Sequence, residues 1–155
     1  PISTPGYSSN FTTPPLDDPQ DAALAECGAS ATPADARFMT QPFLGDKFYF
    51  YARRRVVGKF KSIPSGGSER IQWFRRLQDL TGNRDVAAKD WPFGGWEQRA
   101  WADSSYNALS QVSVLAVAKR YGADYVIRDA DAERLSFPQV YRSDDWRVYE
   151  IPRSD

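Results

Sequence analysis

The sequence predicts a single α/β domain. Its small mixed β-sheet has a parallel, Rossmann-like part and a C-terminal antiparallel hairpin, with helices packed on the sheet. Three observations predict it. Apolar strands alternate with helical segments along most of the chain, the pattern of βαβ units. Arg120-Tyr121-Gly122 closes a helix directly before the apolar stretch 123–128, which makes the αβ half of such a unit. The stretches 139–142 and 146–151 alternate apolar and polar residues on either side of Ser143-Asp144-Asp145, as hairpin arms do. A length of 155 residues fits one domain and allows a core without disulfides or metals.

Residues 1–16, PISTPGYSSNFTTPPL, are too rich in proline and small polar residues to build a core. They read as an extended arm that lies along the domain or a partner, anchored by Tyr7 and Phe11. The α/β domain spans 17–151, and 152–155 is a polar tail. Asp18 and Pro19 are a cap and a first helical residue, so a helix runs from there to about Ser30 and stops at Thr32-Pro33. A short strand over 36–40 follows, closed by Gln41-Pro42. The aromatics of 43–53 fit neither period; the segment reads as a loop or turn near Phe43-Leu44-Gly45 and then an aromatic-rich stretch. Arg53-Arg54-Arg55 reads as a solvated, ion-paired patch before a strand over 56–60.

Ser68 is the expected cap of a helix from Glu69 to about Thr81, ended by Gly82-Asn83. Its buried stripe is expected to be Ile71, Phe74, Leu77 and Trp73, with Arg70, Arg75, Arg76 and Asp79 outward. Residues 83–103 read as an irregular insertion. The longest helix is expected from Asp103 or Ser104 to Tyr121, with Leu109, Val112, Leu115, Ala116 and Val117 inward and Gly122 as its cap. After the strand 123–128 comes a polar connection, 129–137, and then the hairpin. The parallel strands should lie near 37, 57 and 125, and the loops after Thr40, Phe60 and Arg128 should share the end where such sheets bind ligands.

Composition narrows the chemistry. With no histidine, the Ser-His-Asp and Cys-His arrangements are excluded, along with the commonest zinc ligand. One cysteine, Cys27, forms neither an internal disulfide nor a cysteine-rich metal site, and in an alanine-rich helix it reads as a small core residue. A net charge of zero gives no bulk attraction to nucleic acid. No apolar run approaches the roughly 20 residues that cross a bilayer, so no transmembrane segment is expected in this chain. Beginning at Pro1 without a signal-like segment, it reads as a processed product or an excised piece. No cofactor is expected, and no catalytic residue is assigned.

Three groups of residues are candidate sites. Lys61, Ser62, Gly66, Gly67, Ser68 and Arg70 form a glycine-containing loop at a helix N-terminus, which attracts anions. Without the Gly-Lys-Ser/Thr order it is not a P-loop, and a plain turn is the competing reading. Asp129 and Asp131 follow a strand as Asp-x-Asp, hard ligands for a divalent metal, but their polar surroundings also suit a solvated loop. Trp91, Phe93, Trp96 and Trp101 crowd the 83–103 insertion, as a partner contact or as a satellite core against the sheet.

Several of these pieces resemble one family. Thr32-Pro33-Ala34-Asp35-Ala36-Arg37-Phe38-Met39-Thr40-Gln41-Pro42 is similar to the opening TP-x-DA-x-F-x-T-x-P of a soluble C-terminal domain in bacterial polytopic membrane proteins. Arg55-Val56-Val57 with Phe60-Lys61-Ser62-Ile63-Pro64, Trp73-Phe74-Arg75-Arg76-Leu77, and Tyr121-Gly122-Ala123-Asp124-Tyr125-Val126 resemble its later elements. The likeness covers about 17–151. The hosts resemble membrane glycosyltransferases that use lipid-linked sugars, and they carry their catalytic carboxylates in loops this chain lacks. Phe60, where the family has tryptophan, and Ser65-Gly66-Gly67 depart from the pattern. The resemblance implies an extracytoplasmic location, in the periplasm or an equivalent lumen. It also implies an integral membrane protein or membrane complex as partner. The expected role is a non-catalytic subunit that docks to and stabilises that assembly. The alternative is an accessory lobe of a glycosyltransferase that binds an anionic lipid-linked sugar donor.

Overall fold

The computed structural model describes residues 16–83 and 95–153, with side chains from 98 onward in the second stretch. Among these residues the elements are α1 (Pro19–Ala31), β1 (Arg37–Met39), α2 (Pro42–Ala52), β2 (Arg55–Val56), α3 (Gly67–Leu80), α4 (Gly95–Asn107), α5 (Gln111–Tyr121), β3 (Tyr125–Asp129), β4 (Gln139–Arg142) and β5 (Trp146–Glu150). The sheet order is β2-β1-β3-β5-β4. β1 pairs in parallel with both β2 and β3, and β3–β5 and β5–β4 are antiparallel. The expected mixed sheet is therefore present, with its parallel part at the predicted strands and the hairpin on one side.

Alternation along the strands builds two cores. Phe38, Val56, Ile127 and Val148 face one way and bury Leu24, Leu44 and Phe48 of α1 and α2. Met39, Val57, Val126 and Tyr149 face the other way and bury Leu80, Tyr106, Val114 and Val117 of α3, α4 and α5. The result is three layers with the sheet in the middle. Tyr106 is fully buried; its hydroxyl lies 3.0 Å from the Met39 carbonyl oxygen and 2.6 Å from that of Ile127, tying α4 to the centre of the sheet.

Local signals act as expected at several ends. The Asp18 carboxylate accepts from the Gln20 amide at 2.8 Å, with Pro19 opening α1. Gly122 sits at φ 66° and ends α5, a conformation that costs glycine little.

Several expectations are corrected. Residues 43–53 are not a loop and an aromatic stretch but helix α2, opened by Pro42, and their aromatics split between the core (Phe48) and the surface (Tyr49, Phe50). The strand expected over 56–60 is only Arg55–Val56. The Val57 amide still bonds the Phe38 carbonyl, and then the chain turns over α2, with the Phe60 amide on the Pro42 carbonyl. Arg54 is not solvated. It is buried, and its guanidinium donates to the carbonyls of Ala29 (2.7 Å) and Thr32 (2.9 Å), the orphan acceptors at the end of α1.

Ser68 does not cap α3: Gly66 is the N-cap, with no side-chain bond, and Ser68 lies inside the first turn. The buried face of α3 is also turned from the expected one. Ile71 is exposed, while Asp79 is buried beside Leu77 and Leu80. Finally, 83–103 is not all irregular, and the long helix is two. α4 begins at Gly95, and the chain breaks over Ala108-Leu109-Ser110, where the Ser110 hydroxyl accepts from the Ser113 amide at 3.2 Å and starts α5. That break resets the helical phase. Val112, Leu115 and Ala116 are therefore exposed, and Val114, Val117 and Ala118 face the core. Cys27 is only partly buried, and burial pushes its thiol pKa up.

Candidate functional site

The glycine-containing loop after β2 does hold an anion, and the anion belongs to this chain. Asp46, one turn into α2, reaches across to it. Its carboxylate accepts from the Lys61 amide at 3.0 Å and from the Ser62 hydroxyl at 3.0 Å. At the α3 N-terminus Glu69 folds back toward Gly66 and brings negative charge to the positive end of the helix. The Arg70 Nε points at the Pro64 carbonyl oxygen, 3.3 Å away. Gly67 faces open space. Of the six residues singled out there, Lys61 and Ser62 converge on one carboxylate, and an outside anion would have to displace Asp46 to use them. Asp46 was not visible as a site residue because its role arises only when 43–53 is helical.

The loop also gathers apolar surface. Asp46, Tyr49 and Phe50 share one face of α2 at helical spacing. The Lys59 ammonium lies 3.9 Å from the Tyr49 ring centroid, and the Trp73 indole donates to the Lys59 carbonyl at 2.6 Å. Phe60 stacks on Phe43, with ring centroids 4.3 Å apart. Around this framework Tyr49, Phe50, Ile63 and Ile71 are each 48–59% exposed. They belong to α2, the connection after β2, and α3, the segments that flank β2 in the chain.

Asp129 stands at the carboxyl end of β3, the predicted end for ligands in a parallel sheet. Its carboxylate accepts from Gln41 Nε2 at 2.7 Å and from Asn107 Nδ2 at 3.0 Å, and the Asp129 amide donates to Asn107 Oδ1 at 3.0 Å. It therefore joins the start of α2 and the end of α4 to the sheet. Burial raises its pKa, Gln41 opposes the shift, and Asp131 and Asp145 add to it. Asp131 is exposed. Among the described residues no three acidic or thiol groups converge as a metal site. A second carboxylate, Asp103 on α4, feels the charge of Asp129. Burial pushes it up to about 6, and Arg99, 3.6 Å away, pulls it back. Gln41, Asn107 and Asp103 were not singled out in the sequence, because each gains its role from a partner on another element.

Of the aromatic interface candidates, Tyr7, Phe11, Trp91 and Phe93 lie outside the described residues, as does the side chain of Trp96. Trp101 is on α4, partly buried and engaged with neighbouring groups. Among the described residues no helix is long and apolar enough to cross a membrane.

A family model for a domain of unknown function, DUF6798, matches residues 18–80, the stretch from α1 through α3. It contains the Asp46-filled loop and the four exposed apolar residues, and it stops before α4. The match assigns no activity and gives no link to glycosyltransferase-like membrane proteins. No curated protein and no solved structure matches the chain.

Proposed function

We propose that this chain is a non-catalytic docking domain that holds and stabilises a larger membrane protein assembly from its extracytoplasmic side. The observation that carries the reading is the exposure of Tyr49, Phe50, Ile63 and Ile71 on α2, the connection after β2, and α3. Large apolar side chains are costly to leave in water, and several exposed on neighbouring stretches of chain suit a partner site. The 59–62 connection between these residues is fixed by the Asp46 carboxylate and the Trp73 indole, so less ordering entropy would be lost on binding there. The membrane setting rests on the resemblance of Thr32-Pro33 and of Tyr121-Gly122-Ala123-Asp124 to the soluble domains of polytopic membrane proteins.

The alternative role, an accessory glycosyltransferase lobe binding an anionic lipid-linked sugar at Lys61 to Arg70, has less support, because Asp46 already takes the Lys61 amide and the Ser62 hydroxyl. The docking reading is tested with the protein in its source cells, wild type against Phe50→Asp/Ile71→Asp. Both positions are exposed, so the variant should keep the wild-type circular dichroism. Native gels and native mass spectrometry of gently solubilised membranes should show the wild type in a high-mass complex and the variant released from it. Identical migration of the two would refute the reading.

A further inference from the structure

A concave feature on the sheet's α3–α5 side is separate from the Asp46 loop and from Asp129. Between α3 and α5 lies a cleft of about 500 Å³. Small-molecule sites commonly measure about 300–1,000 Å³, so its size suits a ligand. Three guanidiniums, those of Arg75, Arg76 and Arg120, line it together with one carboxylate, Asp79. The whole chain is neutral, so this local excess of positive charge is a property of the cleft.

Two of the arginines are held in place. Asp79 is buried at the cleft, where it accepts from Arg120 Nη1 at 2.9 Å and from the Tyr121 hydroxyl. Arg76 Nη1 donates to the Val57 carbonyl at 3.1 Å, and its guanidinium carbon sits 5.1 Å from the Tyr121 ring centroid. Tyr121 thus braces both, one through its hydroxyl and one through its ring. Arg75 is exposed, and its side chain has no hydrogen-bond or ion-pair partner among the described residues.

We propose that this cleft binds a phosphorylated polar small molecule. A guanidinium is a planar fork of donors that matches the oxygens of a phosphate, and pre-oriented forks lose little freedom on binding. Arg120 and Arg76 each use Nη1 inward, which leaves donors on both for a ligand. The cleft is larger than a bare phosphate. Gln72 and Asn83 also line it, and their amides can both donate to and accept from hydroxyls on the rest of the molecule. The site goes beyond the docking reading and stands or falls independently of it.

Calorimetry on the whole protein tests it, with pyrophosphate and glycerol 1-phosphate as soluble probes and phosphatidylglycerol vesicles as a lipid source of the same group. The expected result is saturable binding of a soluble probe that weakens as salt is added. Arg75→Gln should weaken it about ten-fold, the value of one charge-assisted hydrogen bond, while Arg134→Gln on the 129–137 connection leaves it unchanged. Arg75 is exposed and has no hydrogen-bond or ion-pair partner among the described residues, so its removal leaves their contacts intact. Vesicle binding that is lost in Arg75→Gln while both soluble probes stay silent supports the same chemistry on a lipid headgroup. No saturable binding of any probe, or binding that Arg75→Gln does not weaken, overturns the proposal.

Discussion

Two neighbouring arginines should respond to the same substitution with opposite signs. Arg128 on β3 and Arg147 on β5 are directly opposite each other in register, and Arg142 on β4 is opposite Arg147. Arg128 is 2% exposed and Arg147 is 8% exposed. Arg128 donates to the carbonyls of Asn107 and Leu109, which the break between α4 and α5 leaves without helical partners. Among the described residues the Nε of each arginine is buried without an acceptor, so the difference between them is the pair of carbonyls that Arg128 serves. Methionine keeps an unbranched apolar stem at either position and removes the charge. At Arg147 it relieves an unsatisfied buried donor, about 1–3 kcal/mol, and repulsion between facing like charges, about 1 kcal/mol or less. The water contact still open to the guanidinium tip offsets part of this, so Arg147→Met should gain about 1–2 kcal/mol. At Arg128 it strands two buried carbonyls, and Arg128→Met should lose about 2–4 kcal/mol. Urea unfolding followed by tryptophan fluorescence and circular dichroism measures both. A loss of about 1 kcal/mol or more in Arg147→Met would refute the reasoning, because the guanidinium would then have a stabilising partner.

Two further perturbations test the site and the packing beneath it. Asp103 keeps its proton to about 6 when folded, against 3.8 for an ordinary aspartate. The native state therefore binds more protons between about pH 4 and 6, and stability falls as pH rises through that window. Asp103→Asn should flatten the fall and leave the protein about 1–2 kcal/mol more stable at neutral pH, less than the full shift implies because the side chain is 23% exposed and its Arg99 contact is also lost. Parallel pH–stability curves for the two proteins would count against it. At Gly45, a Cβ would overlap the Gly58 carbonyl oxygen and crowd Thr40 Oγ1 at 3.0 Å. Gly45→Ala should cost about 2–4 kcal/mol in the same urea assay, and a change below about 0.5 kcal/mol would show that α2 can move off the 57–60 turn.

The sheet was legible in the sequence because strand signals are local. Arg37-Phe38-Met39, Tyr125-Val126-Ile127 and the hairpin each announce themselves by alternation and by the turn residues beside them. Helix α2 was not legible. A parallel sheet with cores on both faces lets a helix bury Leu44 and Phe48 while Tyr49 and Phe50 stay in water, so the aromatics of 43–53 carry no clean stripe. The α4–α5 break escaped for a different reason. Ala108-Leu109-Ser110 contains no glycine or proline, and the chain turns there because Arg128, a strand residue, supplies donors to the freed carbonyls. Without that distant partner, helical spacing runs on unbroken and puts Val112 and Leu115 on the wrong side.

The candidate anion loop separates what a local pattern can say from what it cannot. Backbone amides and a hydroxyl near a helix N-terminus favour negative charge, and the prediction of an anion at Lys61 and Ser62 rests on that alone. The physics does not specify whose anion it is. Asp46 lies 15 and 16 residues before them, and α2 presents it at hydrogen-bond distance, so the most accessible carboxylate wins. The reverse holds in the α3–α5 cleft. Arg75, Arg76 and Arg120 are unremarkable as a sequence, two on the outward-reading face of one helix and one in the last turn of another. Folding brings them to one cavity with a single aspartate, and Asp79, expected in solvent, is buried to orient Arg120. Local donors are thus consumed within the chain, whereas the positive charge still open to an outside ligand is assembled only by the tertiary fold.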